Sequence, residues 1–239
     1  MTFIDTNYIR REQERAARPG AAICLFCASP NKVTREHILS RWVFQKDNAA
    51  FFKVTVNGLH QTYNKATIPA CTRCNSELLN QLERSVWSLL EKRDVRDEPF
   101  DKTETEELIR WLELLDYKFQ LYNITRQFRN SKTAGHIPYL RDLPLYSILP
   151  NKNYSPAQIL TALRGSLRRI AVDRKASHLN SLVVFRSTNK EFHFFHRIDV
   201  FVYLEMPQYQ IALFYFYNDE FPTVKHAFEQ AFEIIKSIY

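Results

Sequence analysis

The sequence turns on three short stretches between residues 24 and 75: Cys24-Leu25-Phe26-Cys27, Thr34-Arg35-Glu36-His37-Ile38 and Cys71-Thr72-Arg73-Cys74-Asn75. All four cysteines of the 239-residue chain lie in the two Cys-x-x-Cys pairs. In a reducing compartment, pairs at this spacing are metal ligands rather than disulfides. Each Cys-x-x-Cys turn aims two sulfurs at one point, and two such turns complete a tetrahedral zinc site. A redox pair with two spare cysteines is the weaker reading. Residues 28–70 separate the pairs, more chain than a simple zinc ribbon holds, so a structural unit is expected between them.

That intervening chain carries its own signals. Phe51 to Val56 alternates as a strand does, Asn57-Gly58 is a hairpin turn, and Leu59 to Tyr63 supplies the returning strand. Ile68-Pro69-Ala70 leads into the second cysteine pair. Beyond Asn75, Leu78, Leu79, Leu82, Val86, Leu89 and Leu90 recur at a helical period, so the second pair is expected at a helix N-terminus. Cysteine knuckle, hairpin, knuckle, helix is the order of a treble-clef zinc fold.

These residues together resemble the HNH endonucleases of the ββα-metal class, in their zinc-stapled subtype with asparagine in the last position. The resemblance covers roughly residues 22 to 92 and rests on Cys24, Cys27, Glu36, His37, Cys71, Cys74 and Asn75 in that order. Glu-His-Ile alone would carry nothing. What the resemblance implies is specific. His37 activates water, Glu36 and Asn75 hold a catalytic divalent ion (Mg²⁺ or Mn²⁺), and the four cysteines hold a structural zinc. The middle asparagine of the motif falls best on Asn64, with Asn57 second because the hairpin turn uses it. Ser40 stands where the family commonly has proline, a departure in strand exit rather than in chemistry.

The chemistry needs such residues whatever the family. Phosphodiester cleavage requires a nucleophile at neutral pH, and histidine can take a proton from water there. A hard divalent ion takes oxygen ligands, which a carboxylate and an amide supply. Neighbours on a strand point opposite ways, so Glu36 and His37 share one site only where the strand ends or bends. The bland account of each residue is a backbone-bonded His37, a surface Glu36 paired with Arg35, and Asn75 as a helix cap.

Lysine and arginine number 33 against 26 aspartates and glutamates, a net charge of +7 that favours a polyanionic partner. Lys32, Arg35, Arg41 and Arg73 flank the motif and are candidates for phosphate contacts. With 45% hydrophobic and 14% aromatic residues, the chain can bury a core. No run of 18 apolar residues suggests a membrane helix, and Met1 to Gly20 lacks a signal-peptide apolar region, so a cytoplasmic protein is expected.

Outward from the motif, residues 1–21 read as a basic arm and 22–98 as the zinc-stapled domain. Residues 99–239 read as an α+β domain, an antiparallel sheet covered by helices, for specificity, partner binding or oligomerisation. Thr103-x-x-Glu106 is a capping box, followed by a stripe of Leu108, Trp111, Leu112, Leu115, Phe119 and Tyr122. Ser155-Pro156 opens a further helix, with Ile159, Leu160, Leu163, Leu167 and Ile170 on its buried side. Leu182–Arg186, Phe192–Ile198, Val200–Glu205 and Gln210–Tyr217 read as strands. Pro222 to Ile238 reads as a last helix with Phe228, Phe232 and Ile235 inward.

Three further features read more simply as scaffold. His193 and His196, three apart on a strand, face opposite sides and make poor joint ligands. Arg164, Arg168, Arg169, Arg174 and Lys175 read as a solvated helix face. Leu213 to Tyr217 reads as sheet core or a dimer interface rather than a base-stacking platform. The resemblance implies a metal-dependent nuclease, with DNA as the expected substrate and bacterial defence or toxin systems as the analogy for a short HNH protein with a second domain. A non-catalytic zinc module that binds nucleic acid or protein is the alternative.

Overall fold

A computed structural model describes Cys24 and residues 31–43, 53–56, 59–62, 66–92, 94, 99–130, 179–197 and 200–238. The chain is α+β, with helices packed beside largely antiparallel sheets. Eight strands are described: β1 Val33–His37, β2 Lys53–Val56, β3 Leu59–Thr62, β4 Thr67–Cys71, β5 Leu182–Arg186, β6 His193–Arg197, β7 Phe201–Met206 and β8 Ile211–Phe216. Three α-helices accompany them: α1 Asn80–Lys92, α2 Lys102–Asn130 and α3 Val224–Ile238. None of the described helices is long and apolar enough to cross a membrane.

The backbone divides into two compact units, each gathered from three segments. The first comprises Met1–Leu39, Ala66–Leu82 and Leu114–Asp173. Its sheet is the two-stranded antiparallel ribbon β1–β4, registered with Val33 opposite Cys71 and His37 opposite Thr67. Ile38, Leu39, Ile68, Ala70, Leu79, Leu115, Tyr117 and Phe119 are buried in this unit.

The second unit comprises Ser40–Lys65, Glu83–Glu113 and Arg174–Tyr239. It carries a six-stranded sheet in the order β3-β2-β6-β7-β8-β5. Every pair is antiparallel except β2–β6, where Thr55 lies beside His193 and Val56 beside Phe194. The hairpin 53–62, expected between the two cysteine knuckles, is therefore an edge ribbon of this larger sheet. Alternation fixes that a segment is a strand, but the neighbour it pairs with is a non-local choice.

One face of the sheet presents Phe201, Tyr203, Ala212, Phe214 and Phe216, packed with Ala227 and Ala231 of α3. Small residues on the helix allow its close approach, and stacked rings fill the layer, with Phe201 and Phe214 centroids 4.9 Å apart. This narrow alanine seam corrects one expectation: Phe228 and Phe232 are 40% and 42% exposed, not inward. They stack on each other at 6.0 Å, and Lys236 lies 4.5 Å from the Phe232 centroid. Leu213 to Tyr217 is buried throughout, as sheet core.

Asp101 caps α2 reciprocally with Glu104: each accepts the other's backbone N–H, at 2.9 and 2.8 Å. The cap thus begins two residues before the expected Thr103 box. The stripe from Leu108 to Tyr122 is buried, and so are the intervening polar positions Glu113, Asp116 and Lys118. Charges buried along residues 111–119 need partners within the protein. The expected helix after Ser155 and the basic cluster from Arg164 to Lys175 lie outside the described residues.

Candidate metal centre

The ribbon β1–β4 brings the cysteines into line. At its open end Lys32 takes a left-handed conformation, φ 48°. Its carbonyl oxygen accepts from the Thr72 N–H at 3.1 Å and from Thr72 Oγ1 at 3.3 Å. Thr34 Oγ1 donates to the Ala70 carbonyl oxygen at 2.9 Å, a second tie across the strands. These bonds hold the turn in which β4 ends at Cys71 and the chain coils at once into helix.

The sulfurs of Cys24, Cys71 and Cys74 lie within 4.8 Å of one another, and all three residues are buried. None is joined in a disulfide. The Cys74 N–H points at Cys71 Sγ, 3.5 Å away. Such a backbone donor stabilises a thiolate and orients it, the usual support for a sulfur ligand. At a zinc–sulfur distance near 2.3 Å, tetrahedral sulfurs sit roughly 3.8 Å apart, a spacing this cluster allows. Three buried convergent thiols therefore form a group able to hold a metal ion. Cys27, the expected fourth ligand, lies outside the described residues, as does Asn64.

From Cys74 to Leu79 the helix is π-wound, and the Asn80 N–H reaches back five residues to the Asn75 carbonyl oxygen. One extra residue in the turn rotates the residues around it, a feature common at functional positions. Asn75 is half-buried there. No side-chain hydrogen bond caps the helix start at Arg73, an exposed residue ion-paired with exposed Glu77 at 3.7 Å.

Glu36 and His37 close the strand β1. Glu36 lies opposite Ile68 on the buried side of the ribbon, and the Ile38 N–H continues the ladder to the Ala66 carbonyl oxygen at 3.0 Å. His37, half-buried, is the last strand residue before the chain bends at Ile38 and Leu39. Both residues lie within the strand, which ends directly after His37.

Sequence reasoning missed Lys118. Its ammonium is wholly buried, 2.6 Å from Glu36 Oε1 and 3.3 Å from the His37 carbonyl oxygen. The signal was there only as a lysine set between Tyr117 and Phe119 on a helix rich in apolar residues. This pair decides how well Glu36 suits a divalent ion. Its carboxylate already neutralises a buried cation, and a dication on the same group would face that ammonium at close range. The thiol set fits a metal; the Glu36 set, as it stands, does not.

The basic candidates divide. Lys32, Arg35 and Arg73 belong to the unit of the thiol cluster and are exposed, whereas exposed Arg41 belongs to the second unit. His193 and His196 are both buried in the large sheet. His193 Nδ1 lies 2.8 Å from Glu205 Oε2, directly across the β6–β7 ladder, and Asn189 Nδ2 donates to the same carboxylate oxygen at 3.2 Å. That is a satisfied core-edge histidine, consistent with the scaffold reading. Compared with protein-family models, with curated proteins and with solved structures, the chain matches none of them.

Proposed function

We propose that this chain is an HNH-type endonuclease that hydrolyses phosphodiester bonds in DNA. The observation that supports the reading is the ribbon β1–β4, which carries Glu36-His37 at one end, opposite Ile68 and Thr67, and leads at its other end, opposite Val33, into Cys71 of the thiol cluster. A zinc ion on Cys24, Cys27, Cys71 and Cys74 has a structural task, because a four-thiolate site is closed to substrate. It ties the start of the ribbon to the helix that follows Cys74.

In the reaction, His37 takes a proton from a water molecule as the oxygen attacks phosphorus. The bond from phosphorus to the 3′ oxygen breaks, and that oxygen leaves as the strand is cut. Lys32, Arg35 and Arg73 offer exposed cations to the flanking phosphates, and the net charge of +7 favours the encounter. The expected Mg²⁺ or Mn²⁺ would draw its ligands from Asn75 and from the substrate, since Glu36 is engaged with Lys118.

The Glu36–Lys118 pair also favours a second reading, a zinc module that binds nucleic acid without cutting it. Supercoiled plasmid incubated with Mg²⁺ or Mn²⁺ separates the two. Wild-type nicking that His37→Ala abolishes supports the nuclease; equal nicking by both proteins, or none by either, ends it.

A further inference from the structure

Lys118 joins two consecutive residues of β1 through one buried cation. Its Nζ donates to Glu36 Oε1 at 2.6 Å and to the backbone carbonyl oxygen of His37 at 3.3 Å. The lysine side chain is 0% exposed and that of Glu36 10%. We infer that Lys118 and Glu36 are a positioning pair that fixes the backbone at His37, and that Glu36 serves the site through Lys118 rather than as a ligand of a divalent ion. This rests on the nuclease reading, since His37 is the residue positioned.

Burial supports it first. An ammonium with no solvent exposure cannot reach a phosphate in the medium, so Lys118 is no substitute for a catalytic metal. It is a compact charge with three donors, and two of them are accounted for by Glu36 and His37. Charge supports it next. A dication on the Glu36 carboxylate would either force out the lysine or stand a few ångströms from a buried like charge. Geometry completes the argument. Holding the His37 carbonyl fixes the peptide plane where β1 ends and the chain bends, and with it the direction in which the His37 side chain leaves the backbone. A general base displaced by about 1 Å loses on the order of a hundredfold in rate. The carboxylate keeps the lysine charged and aimed; the lysine keeps the histidine's backbone still.

The test uses the full zinc-loaded chain as wild type, Glu36→Gln, Lys118→Met, Lys118→Arg and the double variant Glu36→Gln/Lys118→Met. Mn²⁺ binding is read from the paramagnetic resonance of the unbound ion, which needs no catalysis. Plasmid nicking gives kcat and KM, and the His37 ring nitrogens are followed by NMR. A positioning pair predicts that Glu36→Gln leaves Mn²⁺ half-saturation within about twofold while kcat falls roughly 10- to 100-fold, the usual loss for a supporting partner. Lys118→Met should match that loss at unchanged KM, Lys118→Arg should restore part of it, and the double variant should fall no further than the worse single one. Tenfold weaker Mn²⁺ binding in Glu36→Gln, or tighter binding in Lys118→Met, makes Glu36 an ion ligand and overturns the inference. If the wild type cuts nothing, the nuclease reading fails separately, and the NMR decides. His37 signals that move in Lys118→Met and return in Lys118→Arg support the pair; signals unmoved in both refute it. Should Lys118→Met fail to fold, the double variant carries the same readouts without a stranded charge.

Discussion

The Cys74 backbone N–H points at the sulfur of Cys71, 3.5 Å away, with the sulfur of Cys24 within 4.8 Å of both cysteine sulfurs. A donor aimed at sulfur, beside two more sulfurs, prepares thiolates for a metal before the metal arrives. Among the described residues, the sheet beside this corner has two strands. Two strands alone are marginal in water.

Removing the proposed zinc should therefore loosen the ribbon β1–β4. Structural zinc contributes about 10 kcal/mol or more in small zinc folds, comparable with the whole net stability of a domain. Stripping zinc with a strong chelator, or replacing Cys74 by serine, should release the amides of β1, of β4 and of the turn from Cys74 to Leu79 to fast hydrogen exchange. Mass spectrometry of peptides spanning 31–43 and 66–82 measures it. Unchanged protection would show that the cluster carries no structural load.

Lys118 and Glu36 set a second expectation, on stability alone. Lys118→Met leaves a carboxylate buried without its partner, a loss of about 3–5 kcal/mol. Glu36→Gln/Lys118→Met removes both charges and keeps most of the volume, so it should recover most of that loss. Denaturant midpoints at neutral pH, with an unchanged slope, measure both effects. A double variant as unstable as Lys118→Met would mean that packing, not charge, decides this position.

The sequence and the fold agree where local physics decides and part where partner choice does. The cysteine spacing pointed to a metal group, and Cys24, Cys71 and Cys74 converge into one able to hold an ion. The four strands after residue 181 lie within a residue or two of their expected bounds. Strand β2 was legible as a strand, but its parallel pairing to β6 was not, since nothing near Thr55 names His193. Phe228 and Phe232 sit at helical spacing and read as an inward stripe, yet Ala227 and Ala231 form the seam, where small residues let the helix approach a sheet face already filled with rings. Nothing in the sequence singled out Lys118, because period shows which residues are apolar, not how many sides of a helix are covered.

His37→Ala should cost the proposed nuclease at least about a hundredfold in nicking rate, the low end for a lost general base. The chain should keep its fold, because His37 is only half-buried and its backbone hydrogen bonds remain. Initial nicking rates beside a far-ultraviolet circular dichroism spectrum check both halves. A loss below about tenfold would make another group the base.

The alkaline limb of stability should be shaped by Tyr209. Its hydroxyl donates to Glu91 Oε1 at 2.9 Å, in the second unit. Burial, together with the hydrogen bond to Glu91 and the charge of that carboxylate, pushes its pKa far above the ordinary phenol value of 10.0. The sign follows from linkage. The folded state holds this proton more tightly than the unfolded state, so the stabilisation is complete below about pH 10 and is lost as pH rises beyond it. Tyr209→Phe should cost on the order of 1 kcal/mol at neutral pH through the lost hydrogen bond. It should also flatten the fall in stability between about pH 10 and pH 11, where wild-type stability declines. Denaturant midpoints across that range, with tyrosinate absorbance as the second signal, measure it. A wild-type curve as flat as that of the variant would mean that the Tyr209 phenol ionises in the folded protein as readily as in the unfolded chain.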